Sequence, residues 1–296
     1  MEIGEPTAHM VDTPHDGKMT TSSPEEMAVA VPPSDVLRSA RFDGSARFAS
    51  VGNTAGFMLL GAFPAAAADQ SDHGGEITVH YRYARFTRDE TGCGVELCSG
   101  GGKLHTVRFL VPCSSYAAFA FADPASSLRL AGAALADMVY PRGFTAQLQA
   151  LWRNLVEAAP VRVPPWAARV EVTVSAGILL VRRGDRTPER MAAMSAALAA
   201  EPHVRPSLRG VGVVVMSLPT PVTRRVDEDD GARPAKRRRL AAGAEEEEEE
   251  CAICYEMLET GLAAWPRCAH VFHGECLERL LVRGDQRCPL CRSELN

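Results

Sequence analysis

Apolar positions alternate with polar ones through residues 76–86, "EITVHYRYARF", where Ile77, Val79, Tyr81 and Tyr83 share one side. Strand side chains point to opposite faces in turn, so this period of two predicts a half-buried strand. "LHTVRFLV" at 104–111 and "RVEVTVSAGILLVRR" at 169–183 predict further strands, the second with a break near Gly177. "VGVVVMSL" at 211–218 is apolar without alternation, as in a buried strand. The period changes in "FTAQLQALWRNLVEAA" at 144–159, where Phe144, Leu148, Leu151, Trp152 and Leu155 recur at helical spacing. "PERMAAMSAALAAE" at 188–201 opens with a proline suited to the first turn of a helix. Strands and helices mixed over residues 46–218 predict an α+β domain large enough for its own core. Its expected role is to bind a substrate or partner, and it shows no internal repeat.

The flanking composition differs. Residues 1–45, rich in Ser, Pro, Thr and Asp, are expected to be disordered. So is a charged linker at 219–250, which has no aromatic residue. The linker carries its charge in blocks: Arg224 and Arg225, then Lys236, Arg237, Arg238 and Arg239, then the run Glu245–Glu250. Two basic clusters separated by ten residues resemble a bipartite nuclear-import signal. That reading implies an import receptor as partner and a location in the nucleus, with a share in the cytoplasm. The competing reading is a solvated run of charge. Of the net charge of −5, the first 223 residues hold only −1, which leaves no basic body for direct nucleic-acid binding. The longest apolar run, "GFMLLGAFPAAAA" at 56–68, is cut by Pro64 and falls short of the roughly 18 residues a membrane span needs.

The remaining signal is chemical. Six of the nine cysteines and two of the eight histidines lie in the last 46 residues. Cys251-x2-Cys254 is followed after 13 residues by Cys268-x-His270-x2-His273-x2-Cys276, and after 11 more by Cys288-x2-Cys291. A C-x2-C pair turns two sulfurs toward one point, as tetrahedral zinc requires. Eight such ligands fill two four-coordinate sites with none over, which favours structural zinc over a catalytic ion with an open position. The competing readings are disulfides, a redox pair, and two sequential fingers each using four consecutive ligands.

The order of these ligands, with histidine in the fourth and fifth places, resembles the RING-type zinc finger of the two-histidine subtype. The resemblance covers residues 251–292 of a segment taken to run 251–296. It implies a cross-brace in which Cys251, Cys254, His273 and Cys276 hold one zinc, and Cys268, His270, Cys288 and Cys291 the other. It also implies a ubiquitin-protein ligase that brings a ubiquitin-charged conjugating enzyme to a protein substrate. In that family the conjugating enzyme docks on an apolar residue before the second cysteine, a bulky residue of the central helix, and a proline after the seventh ligand. The matching residues here are Ile253, Leu280 and Pro289, Leu280 being smaller than the tryptophan usual at its place. Arg292, after the eighth ligand, takes the place of the cation that bridges ubiquitin and the conjugating enzyme without covalent chemistry. Phe272 and Leu277 are expected in the finger's small core, and Trp265 either packs over the second zinc loop or serves another role. The alternative function is a zinc-stabilised interaction or transcription-associated scaffold without ligase activity. A cysteine nucleophile in the α+β domain, drawn from Cys93, Cys98 or Cys113 with His80 or His105 as base, is disfavoured.

Overall fold

The computed structural model describes residues 46–64, 75–92, 94–98, 104–111, 123–180, 186–200, 213–222, 249–268 and 270–295. The alternating segment foreseen in the sequence is part of a long strand near the middle of a mixed seven-stranded sheet. In chain order its strands are β1 (Arg47–Val51), β2 (Thr54–Phe63), β3 (Gly75–Arg88), β4 (Val95–Leu97), β5 (Leu104–Val111), β6 (Arg169–Leu179) and β7 (Val214–Ser217). The spatial order is β1-β2-β6-β3-β5-β7, with β4 paired to the end of β3. Pairing is antiparallel for β1 with β2, β2 with β6, and β3 with β5, and parallel for β3 with β6 and β5 with β7.

Helices cover the two faces unequally. On one face α1 (Pro124–Val139) and α2 (Thr145–Glu157) bury Met58, Ile77, Val79, Tyr81, Phe109, Val172 and Val174. On the other, α3 (Pro188–Ala200) packs over one end of the sheet, where Phe57, Phe86 and Leu179 meet Met191, Met194 and Leu198. The rest of that second face carries polar side chains, including Arg108, whose guanidinium pairs with Glu76 across β5 and β3. The period of two in β3 therefore holds, with Ile77, Val79 and Tyr81 under α1 and α2, before Ala84 and Phe86 bury under α3.

Two expectations are corrected: β7, expected to be buried, ends the sheet with Val214 and Val215 exposed, and β6 runs unbroken through Gly177 to Leu179. Gly177 stands there for space: a Cβ would come within 2.7 Å of the Met194 side chain and 3.1 Å of Phe86. Gly132 does the same between α1 and α2, where a Cβ would lie 2.2 Å from the Trp152 ring. That close approach lets the Trp152 indole donate to the Leu128 carbonyl at 2.8 Å. α1 starts on Asp123, whose carboxylate accepts from the Ser126 amide at 3.0 Å, with Pro124 in the first turn.

The C-terminal segment is built onto this body. Thr220–Val222, at the start of the expected linker, forms β8 and pairs with β9 (Leu262–Ala264), which pairs with β10 (Val271–His273). The Ser217 amide donates to the Leu295 carbonyl at 3.2 Å. Helix α4 (Gly274–Val282) packs on α1, and Leu258, Leu262, Trp265, Phe272, Leu277, Leu281 and Leu295 join the cluster that fills the sheet domain. Among the described residues no helix is long and apolar enough to cross a membrane.

Candidate metal centre

Two short turns carry half of the ligands, and they share one backbone design. In the first, the Tyr255 amide donates to the Cys251 carbonyl at 2.7 Å, and the Cys251 amide to the Glu256 carbonyl at 2.8 Å. In the second, the Arg292 amide donates to the Cys288 carbonyl at 2.8 Å, and the Cys288 amide to the Ser293 carbonyl at 2.9 Å. Tyr255 and Arg292, each just after its second cysteine, both take the left-handed conformation with φ of 62°. Each turn is closed by an isolated antiparallel bridge, Glu250 with Met257 and Arg287 with Glu294. "CAICYEM" and "CPLCRSE" are thus one turn used twice.

The other four ligands come from the hairpin β9–β10 and the start of α4. Cys268 and His270 lie between the strands, His273 ends β10, and Cys276 occupies the first turn of the helix. The result is two groups, Cys251, Cys254, His273 and Cys276, and Cys268, His270, Cys288 and Cys291. Within each, all four ligand atoms lie within 4.8 Å of one another. The groups interleave along the chain as a cross-brace does, which excludes sequential fingers. The thiols described in the finger are free, not disulfide-bonded.

The donor set fits zinc. Tetrahedral bonds of about 2.3 Å to sulfur and about 2.0 Å to nitrogen imply ligand separations of about 3.5–3.8 Å. Cys254 Sγ lies 3.3 Å from His273 Nδ1, and Cys288 Sγ 3.5 Å from His270 Nδ1, separations suited to two ligands of one ion. His273 Nε2 is 2.9 Å from the Met257 carbonyl, which can only accept, so Nε2 holds the proton and leaves the Nδ1 lone pair for metal.

The thiols are tuned in opposite directions. At Cys251 burial opposes ionisation, but amides of His273, Cys254 and Ile253 donate to the sulfur, and with the Cys254 thiol pull its pKa down to about 7. Cys291 is lowered to about 6, chiefly by the Ser293 hydroxyl and amide. Burial and neighbouring thiols push Cys276 up to about 12, and burial with the Cys268 and Cys291 thiols pushes Cys288 up to about 11 against the amides of Cys291 and Leu290. A cation shared by four donors would stabilise every thiolate in its group, so binding releases protons and weakens in acid.

A family model for the zinc finger, C3HC4 type (RING finger), matches residues 250–291. That stretch is a RING finger. The C3HC4 type has cysteine as its fifth ligand, where this finger has His273. The RING-H2 finger protein ATL18 of Arabidopsis thaliana is 49% identical over 45 residues, 14% of this chain and 31% of that protein. The chain thus spans about a third of the length of the curated relative it matches. No solved structure matches it.

Outside the ligands, the RING finger presents Pro289, Leu290, Arg292 and Tyr255 to solvent, while Ile253 and Leu280 are half-buried. Trp265 is buried, and its indole donates to the Ser293 carbonyl at 3.0 Å, so it packs over the second zinc loop. Phe272 and Leu277 are fully buried. The basic residues Arg224, Arg225, Lys236, Arg237, Arg238 and Arg239 lie outside the described residues, as do Cys93 and Cys113. Cys98 bonds through its amide to the Arg85 carbonyl, five positions along β3 from His80 and four from Tyr81, the partner of His105. At about 3.3 Å per residue either histidine is displaced by about 13 Å or more along the strand, too far to take a proton from Cys98.

What the sequence did not signal is the seat of α4. Glu278 is buried, with its carboxylate 2.5 Å from Arg153 of α2 and 3.5 Å from Arg129 of α1. Burial raises the carboxyl above its ordinary value, and the two guanidinium groups offset this only in part. Such a pair fixes geometry more than it adds stability. A glutamate in an otherwise amphipathic helix carries no mark of a buried partner, so only the tertiary structure reveals it.

Proposed function

We infer that the chain is a RING-type ubiquitin-protein ligase. The observation that carries this reading is a RING finger with two closed ligand groups and with Ile253, Leu280, Pro289 and Arg292 at the family's docking and bridging places, none of them fully buried. Eight ligands leave no open metal position, so the zinc serves to hold the fold. Ile253, Leu280 and Pro289 dock the conjugating enzyme. Arg292 then donates to both ubiquitin and the enzyme, holding the thioester where a substrate lysine can reach it. The amine attacks the thioester carbonyl, the enzyme's thiol leaves, and an isopeptide bond forms. Positioning alone supplies several kcal/mol of the barrier reduction, up to about 7–11 for well-oriented groups.

The test is single-turnover discharge of a charged conjugating enzyme to free lysine, run over a panel of such enzymes. Wild type is expected to accelerate discharge. Ile253→Ala keeps two zincs but weakens docking, by about 2 kcal/mol if it is a central anchor. Arg292→Ala docks normally and discharges slowly. Since Arg292 has φ of 62°, Arg292→Gly is the unstrained companion variant. A two-zinc protein that stimulates no conjugating enzyme supports the scaffold reading instead. The same proposal takes the basic clusters at 224–225 and 236–239 as import elements. A fluorescent fusion with Lys236, Arg237, Arg238 and Arg239 changed to alanine is expected to shift to the cytoplasm, and no shift refutes the import role.

A further inference from the structure

On the face of the sheet opposite α1 and α2, helix α3 sits over β2 and β6 and leaves β1 beside it uncovered. The gap is a groove of about 900 Å³. Phe48, Ala49 and Ser50 of β1 form one side, and Ala192, Ser195, Ala196 and Ala199 of α3 the other. Ala192, Ala196 and Ala199 recur at one-turn spacing and are exposed, so the helix offers no bulk to fill the gap. Phe48 is half exposed on the floor, held 6.0 Å from the Phe57 ring beneath α3.

The main chain identifies the occupant. β1 ends the sheet, and no described residue pairs with its outer edge. In an antiparallel pair, successive residues turn their amide and carbonyl inward and outward by turns. With the hairpin closed at Val51 and Thr54, the groups of Phe48 and Ser50 face outward, along the free edge of the strand that borders the groove. Charge adds a direction. Arg186 lines the groove beside Thr187 and Pro188, where α3 begins and its amides present partial positive charge. The first-turn acid Glu189 does not line it. An edge strand, a wall of small residues, an apolar floor and one electropositive end match the requirements for adding a strand.

We propose that this groove takes up an extended segment of a protein substrate as an added strand on β1, with small or apolar residues against α3 and an acidic residue beside Arg186. The word substrate rests on the ligase reading. The binding does not, and it is measured without a conjugating enzyme.

A phage-displayed library of random 12-residue peptides is panned on the full zinc-loaded chain, and the most enriched peptide is synthesised and titrated by fluorescence anisotropy. Enriched peptides are expected to alternate apolar residues and to share an acidic position. Ala196→Trp fills the groove from an exposed helix site and is expected to weaken binding at least tenfold. Ser50→Pro removes an outward amide at a sheet edge, where proline is tolerated, and is expected to act similarly. Arg186→Glu reverses the preference at the acidic position to a basic one. Zinc content and discharge to free lysine, read on the same samples, stay at wild-type levels, which separates loss of the groove from loss of the finger. If Ser50→Pro does not fold, Ala196→Trp decides. The proposal is overturned if no peptide is enriched, or if the selected peptide binds Ala196→Trp as tightly as wild type. It is also overturned if the chain self-associates and Ala196→Trp makes it monomeric, since the groove then seats a second copy.

Discussion

Met58, Val79, Phe109, Leu135 and Trp152 are buried in the sheet domain by the packing of helices on strands. In the RING finger the side chains at the same level of burial include Cys251, Cys276 and Cys288, which reach toward shared ions. One region is ordered by apolar area and the other by ligation. The boundary between them is apolar all the same, because Leu262, Phe272, Leu277 and Leu281 belong to the cluster that fills the sheet domain. A small metal domain that depends wholly on its ions can hang from a flexible tether. This one is seated, so its stability and that of α1 are linked.

Removing the metal tests the contrast most severely. Structural zinc supplies about 10 kcal/mol or more of folding free energy in small fingers. Chelation, or Cys276→Ser at the buried ligand, is expected to unfold the finger, read as exposure of Trp265 in fluorescence. Because α4 covers α1, the melting temperature of the sheet domain should fall as well. An unchanged sheet-domain transition would show two independent regions that merely touch.

The seat itself is the next target. Arg153→Ala leaves the buried Glu278 carboxylate with only the more distant Arg129. The expected loss is about 2–3 kcal/mol, below the full figure for a buried pair because Arg153 is itself partly exposed. Denaturant titration measures it, and zinc content should stay at two per chain. A value near zero would mean that apolar packing alone holds α4.

The smallest effect belongs to the sheet domain and to pH. Burial works against the Glu76 carboxylate, but Arg108, Thr78 and Arg169 hold its pKa below the ordinary value. A depressed carboxyl contributes stability that is present above its unfolded pKa and lost as pH falls through the folded one. Glu76→Gln is therefore expected to lower stability slightly at neutral pH, by about 1 kcal/mol or less, and to converge with wild type in acid. Thermal melts from pH 7 down to pH 3 measure the convergence, and parallel curves would remove Glu76 as the cause.

How much of this was legible depends on what each residue had to satisfy. The eight ligands could be read because ligation demands both residue type and spacing. The centre of β3 could be read because its exposed and buried sides alternate. Helix α1 left little such trace: Leu128, Leu130, Ala131, Ala133, Ala134, Leu135 and Ala136 are buried between the sheet, α2 and α4, so its polar stripe shrinks to Ser126, Arg129 and Asp137. Its one local mark was the Asp123–Pro124 start. β2 reads as a candidate membrane run because a strand covered on both sides shows an unbroken apolar stretch. β8 reads as linker because "TPV" is too short to show a period, and its place is set by main-chain pairing with β9 and by the packing of Val222 alone on the core. The groove beside β1 was invisible for the same reason, since a free edge is an attribute of the sheet.

Strand β8 fixes the residue from which the charged segment 223–248 departs. Val222 is held in the sheet with β9, and Glu249 returns to the same domain, its carbonyl accepting from the Leu258 amide at 2.9 Å. The residues on either side of the segment are therefore both anchored in the same domain. A protease cut anywhere within the segment would yield two polypeptides in a denaturing gel and a single particle in solution, with β8 on one fragment still paired to β9 on the other. The finger could be nicked free in sequence without being released in space.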